Sequence, residues 1–222
     1  MFRNCSLEDI SDGRLYGVND MARLGCDGCK GCFVCCTGMG SSIVLDPLDV
    51  FRIRLNGGES IESLLRDKLE LNIVDGVILP NIRMSGERGC CPYLDEEGRC
   101  SIHEYRPGMC RLFPLGRYYE NGDYRYFMQK EQCRRTNRTK VKISKWLDIP
   151  DYPAYREYVL KWHSLLLSLS ERLKAMQDSD VRQLELMLVN MFYIKVAAAD
   201  EKEFMKEFDE KTVMLGKLLA QL

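Results

Sequence analysis

Gly25-Cys-Asp-Gly-Cys-Lys-Gly-Cys-Phe-Val-Cys-Cys36 carries five cysteines within eleven residues. Thiols this dense, in a chain whose opening residues carry no export signal, read as ligands rather than half-disulfides. At C-x2-C spacing two sulfurs fall on one side of a tight turn, within reach of one metal ion or one iron–sulfur cluster. The glycines Gly25, Gly28 and Gly31 favour such turns and can aim backbone N–H groups at sulfur.

The run reads in two registers. Cys26, Cys29, Cys32 and Cys36 match the C-x2-C-x2-C-x3-C pattern of bacterial ferredoxins, with Thr37 where those have proline. Cys29, Cys32, Cys35 and Cys36 form C-x2-C-x2-C-C instead. Spacing alone does not separate them.

Outward from the run, the chain is 222 residues long, with 32 basic and 33 acidic side chains and a net charge of −1. A core can be buried without covalent staples, and no global field draws the chain to nucleic acid or membrane. Met1–Asp9 has no apolar segment or cleavage site of the secretory kind. The longest uncharged apolar stretches, at 162–170 and 186–194, are about half of the roughly 20 residues that a spanning helix needs. The expectation is a cytoplasmic chain with no membrane partner. Eleven cysteines, two adjacent pairs among them, also fit a secreted disulfide scaffold poorly.

No cysteine follows Cys133, and that composition shift divides the chain. The expected domains are an N-terminal segment over 1–25, a cysteine-cluster metal-binding domain over 26–146, and a helical region over 147–222 packed on it. Asp46-Pro47 opens a helix over Pro47–Leu55 that Asn56-Gly57-Gly58 stops, and a second spans about Ser60–Leu69. Asp75-Gly76 and Asn121-Gly122 mark two hairpins, Glu70–Val74 with Val77–Met84 and Leu115–Tyr119 with Tyr124–Gln129. Beyond Trp146 the apolar period becomes helical, with a stripe of Tyr155, Tyr158, Val159, Trp162, Leu165, Leu166, Leu169, Leu173 and Met176. Asp178-Ser-Asp180 should cap a helix from Val181 to about Ala198. Asp200 should open a last one that presents Phe204, Phe208, Leu215, Leu218 and Leu222. The fold class is α+β: a small cysteine-rich lobe of short helices and hairpins with a C-terminal three-helix extension.

A second cysteine group follows as Cys91-Pro-Tyr-Leu94, Gly98-Arg-Cys100-Ser-Ile-His103 and Arg106-Pro-Gly-Met-Cys110-Arg-Leu-Phe-Pro114, with Cys133 further on. Together with the early C-x2-C-x2-C-C, these motifs resemble the YkgJ-type cysteine-cluster family, a zinc- or iron-chelating domain. The resemblance covers about residues 26–135, and flagellin lysine N-methylases are similar in this domain. It implies eight metal ligands, Cys29, Cys32, Cys35, Cys36, Cys91, Cys100, Cys110 and Cys133. Cys5, Cys26 and Cys90 lie outside the pattern, so Cys26 is at most an extra ligand and the ferredoxin register reads as coincidence. Eight thiolates divide naturally into two sites. If Cys35-Cys36 is extended, its two side chains point opposite ways and serve different sites.

Charge does not choose the metal, because zinc and an oxidised [4Fe–4S] cluster on four thiolates both carry about −2. Over fifty residues separate the two halves, and adjacent cysteines are unusual for structural zinc, so the reading leans to an iron–sulfur cluster of the 4Fe–4S type over Zn2+. Arg106 and Arg111, with Arg99, are placed as donors and counter-charges around it.

His103, three residues beyond Cys100, is expected to make a structural hydrogen bond, and His163 to sit at a core edge. Residues 125–145 hold eight basic side chains (125, 130, 134, 135, 138, 140, 142 and 145) against Glu131. They read as a solvated face that offsets the thiolates and the acidic last helix, and nucleic acid is not the expected partner. The sequence has no G-x-G-x-x-G, Walker loop or C-x3-C-x2-C. The leading expectation is an iron–sulfur protein of electron transfer or of redox- or SAM-linked protein modification, with a protein substrate or redox partner. As an enzyme it would be an oxidoreductase or methyltransferase-like. A structural zinc module without catalysis, or metal storage and delivery, stands beside it.

Overall fold

Asp75 and Gly76 both have positive φ, 51° and 85°, as do Asn121 and Gly122, at 54° and 74°. Two-residue turns of this hand suit the right-handed twist of a hairpin. They close the two expected hairpins in the computed structural model, which describes residues 6–26, 32–133, 135 and 137–220. Cys29, Arg134 and Leu222 therefore lie outside the described residues.

The elements in order are α1 (Leu7–Ile10), β1 (Met21–Gly25), a 3-10 turn (Val34–Cys36), α2 (Pro47–Gly57), α3 (Ile61–Asp67), β2 (Leu69–Val74) and β3 (Val77–Ile82). A second 3-10 turn (His103–Tyr105) precedes α4 (Gly108–Leu112), β4 (Leu115–Glu120), β5 (Asp123–Met128), β6 (Thr139–Lys142) and α5 (Ile143–Leu147). The chain ends in α6 (Tyr152–Leu173), α7 (Asp178–Val189), a π turn (Asn190–Ile194) and α8 (Glu201–Leu219). The fold is α+β, with helices around three separate antiparallel ribbons, β1–β6, β2–β3 and β4–β5.

Capping chemistry explains the helix starts. Asp46 accepts the Asp49 N–H at 2.9 Å while Asp49 accepts the Asp46 N–H at 3.3 Å, a reciprocal box ahead of Pro47. Gly58, at φ 67°, closes α2 with its N–H on the Arg54 carbonyl. Asp200 caps α8 through the Glu203 N–H at 2.8 Å.

The pairing of β1 with β6 was not anticipated. Met21 faces Lys142, Ala22 faces Val141 and Arg23 faces Lys140, with a register shift before Gly25 meets Thr139. Tyr16 also exchanges backbone hydrogen bonds with Tyr126 of β5, at 2.7 and 2.9 Å. Residues 11–25 are thus woven into the ribbons that flank the cysteine lobe.

Two expectations for the C-terminal helices need correction. Asp178 and Asp180 occupy the first turn of α7, not its cap, which is Gln177 without a side-chain bond. There their charges meet the positive helix end. The helix does not run on to Ala198 either: it widens into the π turn and stops at Ile194. The π turn puts Phe192 and Tyr193 into the core, where the Tyr193 hydroxyl reaches the Leu45 carbonyl at 3.1 Å. On α8 the buried leucines are Leu215 and Leu219, with Leu218 only partly covered.

One apolar cluster joins both sides of residue 147. Phe204 stacks on Phe51 of α2 at 4.7 Å, and Trp162 meets Phe192 and Phe208. The acidic α8 is balanced by Arg52, whose guanidinium forks onto Glu201 at 2.8 and 2.7 Å, and by Lys161 on Asp209 and Lys211 on Glu207. These partners lie outside the basic stretch 125–145. No helix among the described residues is long and apolar enough to cross a membrane.

Candidate metal centre

A short antiparallel contact joins the two cysteine groups. Thr37 pairs with Cys90, Gly38 N–H bonds the Gly89 carbonyl at 2.9 Å, and Cys91 N–H bonds the Cys36 carbonyl at 2.8 Å. Cys35 and Cys36 ride the preceding 3-10 turn, closed by Cys36 N–H on the Phe33 carbonyl. They are therefore not extended, and the two thiols are near enough to interact with each other. The condition for sending them to different sites by strand alternation is not met.

From Cys91 the chain makes a tight excursion and returns. Leu94 N–H bonds the Cys91 carbonyl, Asp95 and Arg99 close a turn at Gly98 (φ 72°), and Leu94 pairs with Cys100. The backbone N–H of Tyr93 is directed at the Cys91 sulfur and that of Ile102 at the Cys100 sulfur. N–H donors at sulfur are what a metal-bound thiolate uses to spread its charge.

Cys110 arrives on α4, whose first N–H, at Gly108, is held by Asp49 Oδ1 at 2.7 Å. Asp49 is a positioning residue that sequence reading did not single out. Its D-x-x-D spacing with Asp46 was visible, but its second hydrogen bond, to a residue remote in sequence, was not.

The result is a group of four thiols, Cys35, Cys91, Cys100 and Cys110, each in electrostatic reach of others in the set. Cys91, Cys100 and Cys110 pack against the hydrophobic core. Burial pushes the Cys91 thiol up to about 11, and it also raises Cys100 and, well above the usual range, Cys110. The hydrogen bond with Cys36, followed by burial, raises Cys35. Arg106 works the other way, lowering Cys35 and Cys100.

The other predicted residues separate by geometry. Arg111 is held by the carbonyls of Asp148 and Glu104, so it braces backbone around the site. Arg106 Nη1 contacts the His103 ring and carbonyl, and burial and then the Arg106 charge lower the His103 pKa. His163 stacks on Tyr119 at 3.6 Å, away from the thiols. Cys26, Cys32, Cys35 and Cys133 line a small separate cavity. The hydroxyl of Tyr93 is buried without a partner, in electrostatic reach of Cys91 and Cys100.

These residues suit a thiophilic metal. The donors are all sulfur, backbone N–H groups already face two of them, and a neutral thiol can lose its proton to solvent as its sulfur binds a cation. Among the described residues no three His, Cys, Asp or Glu side chains already converge on one ion.

An all-thiol gathering of this kind defines a cysteine-ligated metal-binding protein. The chain belongs to the CxxCxxCC family, described as a "putative zinc- or iron-chelating domain", whose model matches residues 28–143. Comparison with curated proteins and with solved structures returns no match.

Proposed function

We propose that the protein is an iron–sulfur protein whose cluster is held by Cys35, Cys91, Cys100 and Cys110. It would serve electron transfer or the redox- or SAM-linked modification of a partner protein in the cytoplasm. The observation that carries the reading is that four thiols from separate chain segments lie within electrostatic reach of one another, two of them faced by backbone N–H groups. A bound cluster supplies one-electron chemistry. The protein contributes Arg106 as counter-charge, N–H donors that tune potential, and a core that shields the thiols from water.

Structural zinc is the second reading, favoured by the packing of Cys91, Cys100 and Cys110 onto the core, where an ion would act as a pin. Anaerobic purification followed by iron, acid-labile sulfide and zinc analysis decides. Brown protein with iron and sulfide, bleached by dithionite, supports the cluster. Colourless protein with stoichiometric zinc and no sulfide overturns it.

A further inference from the structure

Against the 3-10 turn lies a cavity of about 20 Å³, whose lining includes Cys26, Cys32, Cys35 and Cys133. That is room for one water-sized guest, too small for a cube of irons and sulfides. Phe113 and Trp146 form part of its apolar wall, and Arg135 brings a positive charge to it. Of these four cysteines only Cys35 is also a member of the group containing Cys91, Cys100 and Cys110.

The β1–β6 ribbon explains the gathering. Gly25 faces Thr139 after the register shift, and a Cβ there would come within 2.8 Å of Val141 Cγ2 and overlap the Thr139 side chain. Glycine lets the strands close, which delivers Cys26, the next residue, beside the segment that follows Cys133. Cys26 precedes the family match at residues 28–143, so its place here is a property of this chain.

We propose that Cys26, Cys32 and Cys133 form a second, mononuclear site for one thiophilic divalent ion such as zinc, with Cys35 standing between it and the first thiol group. The three thiols lose their protons to solvent as the sulfurs close on the ion, to about 2.3 Å in the case of zinc. The apolar wall keeps the thiolates dry, and Arg135 offsets their charge. This site goes beyond the cluster reading and does not depend on it.

The test titrates the reduced, metal-free full chain with cobalt(II), a spectroscopic stand-in for zinc. Wild type should show two separable thiolate–cobalt equivalents. Cys26→Ser and Cys133→Ser should each lose one and keep the other, while Cys100→Ser should lose the opposite one. Alkylation mapping of the unmutated protein needs no variant. Cys26, Cys32 and Cys133 should be protected together by zinc and released together by chelator, apart from Cys91, Cys100 and Cys110. Full cobalt binding by Cys26→Ser, or a single equivalent lost alike in folded Cys26→Ser and Cys100→Ser, overturns the proposal. So does release of all six thiols as one unit. Absence of iron and sulfide from anaerobic protein would sink the cluster reading and leave these differences intact.

Discussion

Asp49 Oδ1 accepts the Gly108 N–H at 2.7 Å, across fifty-nine positions of sequence. One carboxylate thereby completes the start of α2 and fixes the start of α4, which carries Cys110.

The pH dependence of this joint has a definite sign. Burial, and then the neighbouring Asp46 charge, push the Asp49 carboxyl up, and burial does the same to Asp46. The folded chain therefore keeps protons that the unfolded chain gives up above about pH 4. The stability involved is fully present below that range and is lost as pH rises through the raised folded values. Asp49→Asn keeps an acceptor for Gly108 and removes the charge. Its urea midpoint relative to wild type should rise steadily from pH 5 to pH 8. A constant difference would mean that Arg52 already holds the Asp49 carboxylate ionised.

Gly108 tolerates no side chain. A Cβ there would lie 2.6 Å from the Tyr155 hydroxyl, itself fixed by Arg117 at 2.9 Å. Gly108→Ala should cost about 1–3 kcal/mol by overpacking, read as a lower denaturation midpoint with unchanged slope. It should also reduce metal retention, because α4 must shift.

Cys90 and Cys110 should differ sharply. Cys90 exchanges backbone bonds with Ser85, at 2.7 and 2.9 Å, and lies outside the group of four. Cys90→Ser should keep the metal content of wild type, whereas Cys110→Ser should lose the metal of the first group. Equal retention in both variants, by metal analysis, would remove Cys110 from the ligand set, and equal loss would bring Cys90 into it.

Metal removal should act locally. Chelation should raise amide exchange in residues 91–112, whose turns close around the thiols, and leave α6 and α8 protected by their aromatic packing. Uniform loss of protection, followed by mass spectrometry, would mean that the metal holds the whole fold.

Short-range signals made much of this structure readable in advance. Asp-Gly and Asn-Gly impose positive φ on two successive residues, and Asp46-Pro47 is a local helix start, so hairpins and helix beginnings need no tertiary knowledge. The π turn is different: Asn190–Ile194 differs little in composition from helix, and the demand to bury Phe192 and Tyr193 together widens it. β1 and β6 are short and partly charged, with no turn between them to announce the pairing. Cys26 was set aside because a motif has no place for it, yet the neighbouring Gly25 allows the strand contact that brings it to Cys133. Arg111, a cation beside Cys110 in sequence, donates to two backbone carbonyls, a role that its place in the motif does not announce.

The β1–β6 ribbon also orders events during synthesis. Strand β1 and the first cysteines leave the ribosome early, but their partner strand follows Cys133. Until residues 139–142 emerge, Cys26 and Cys32 are exposed nucleophiles on an unfinished chain, open to oxidation or to capture of the wrong ion. If these thiols take the second ion proposed above, its loading belongs to the moment the ribbon zips, and the early thiols must stay reduced until then.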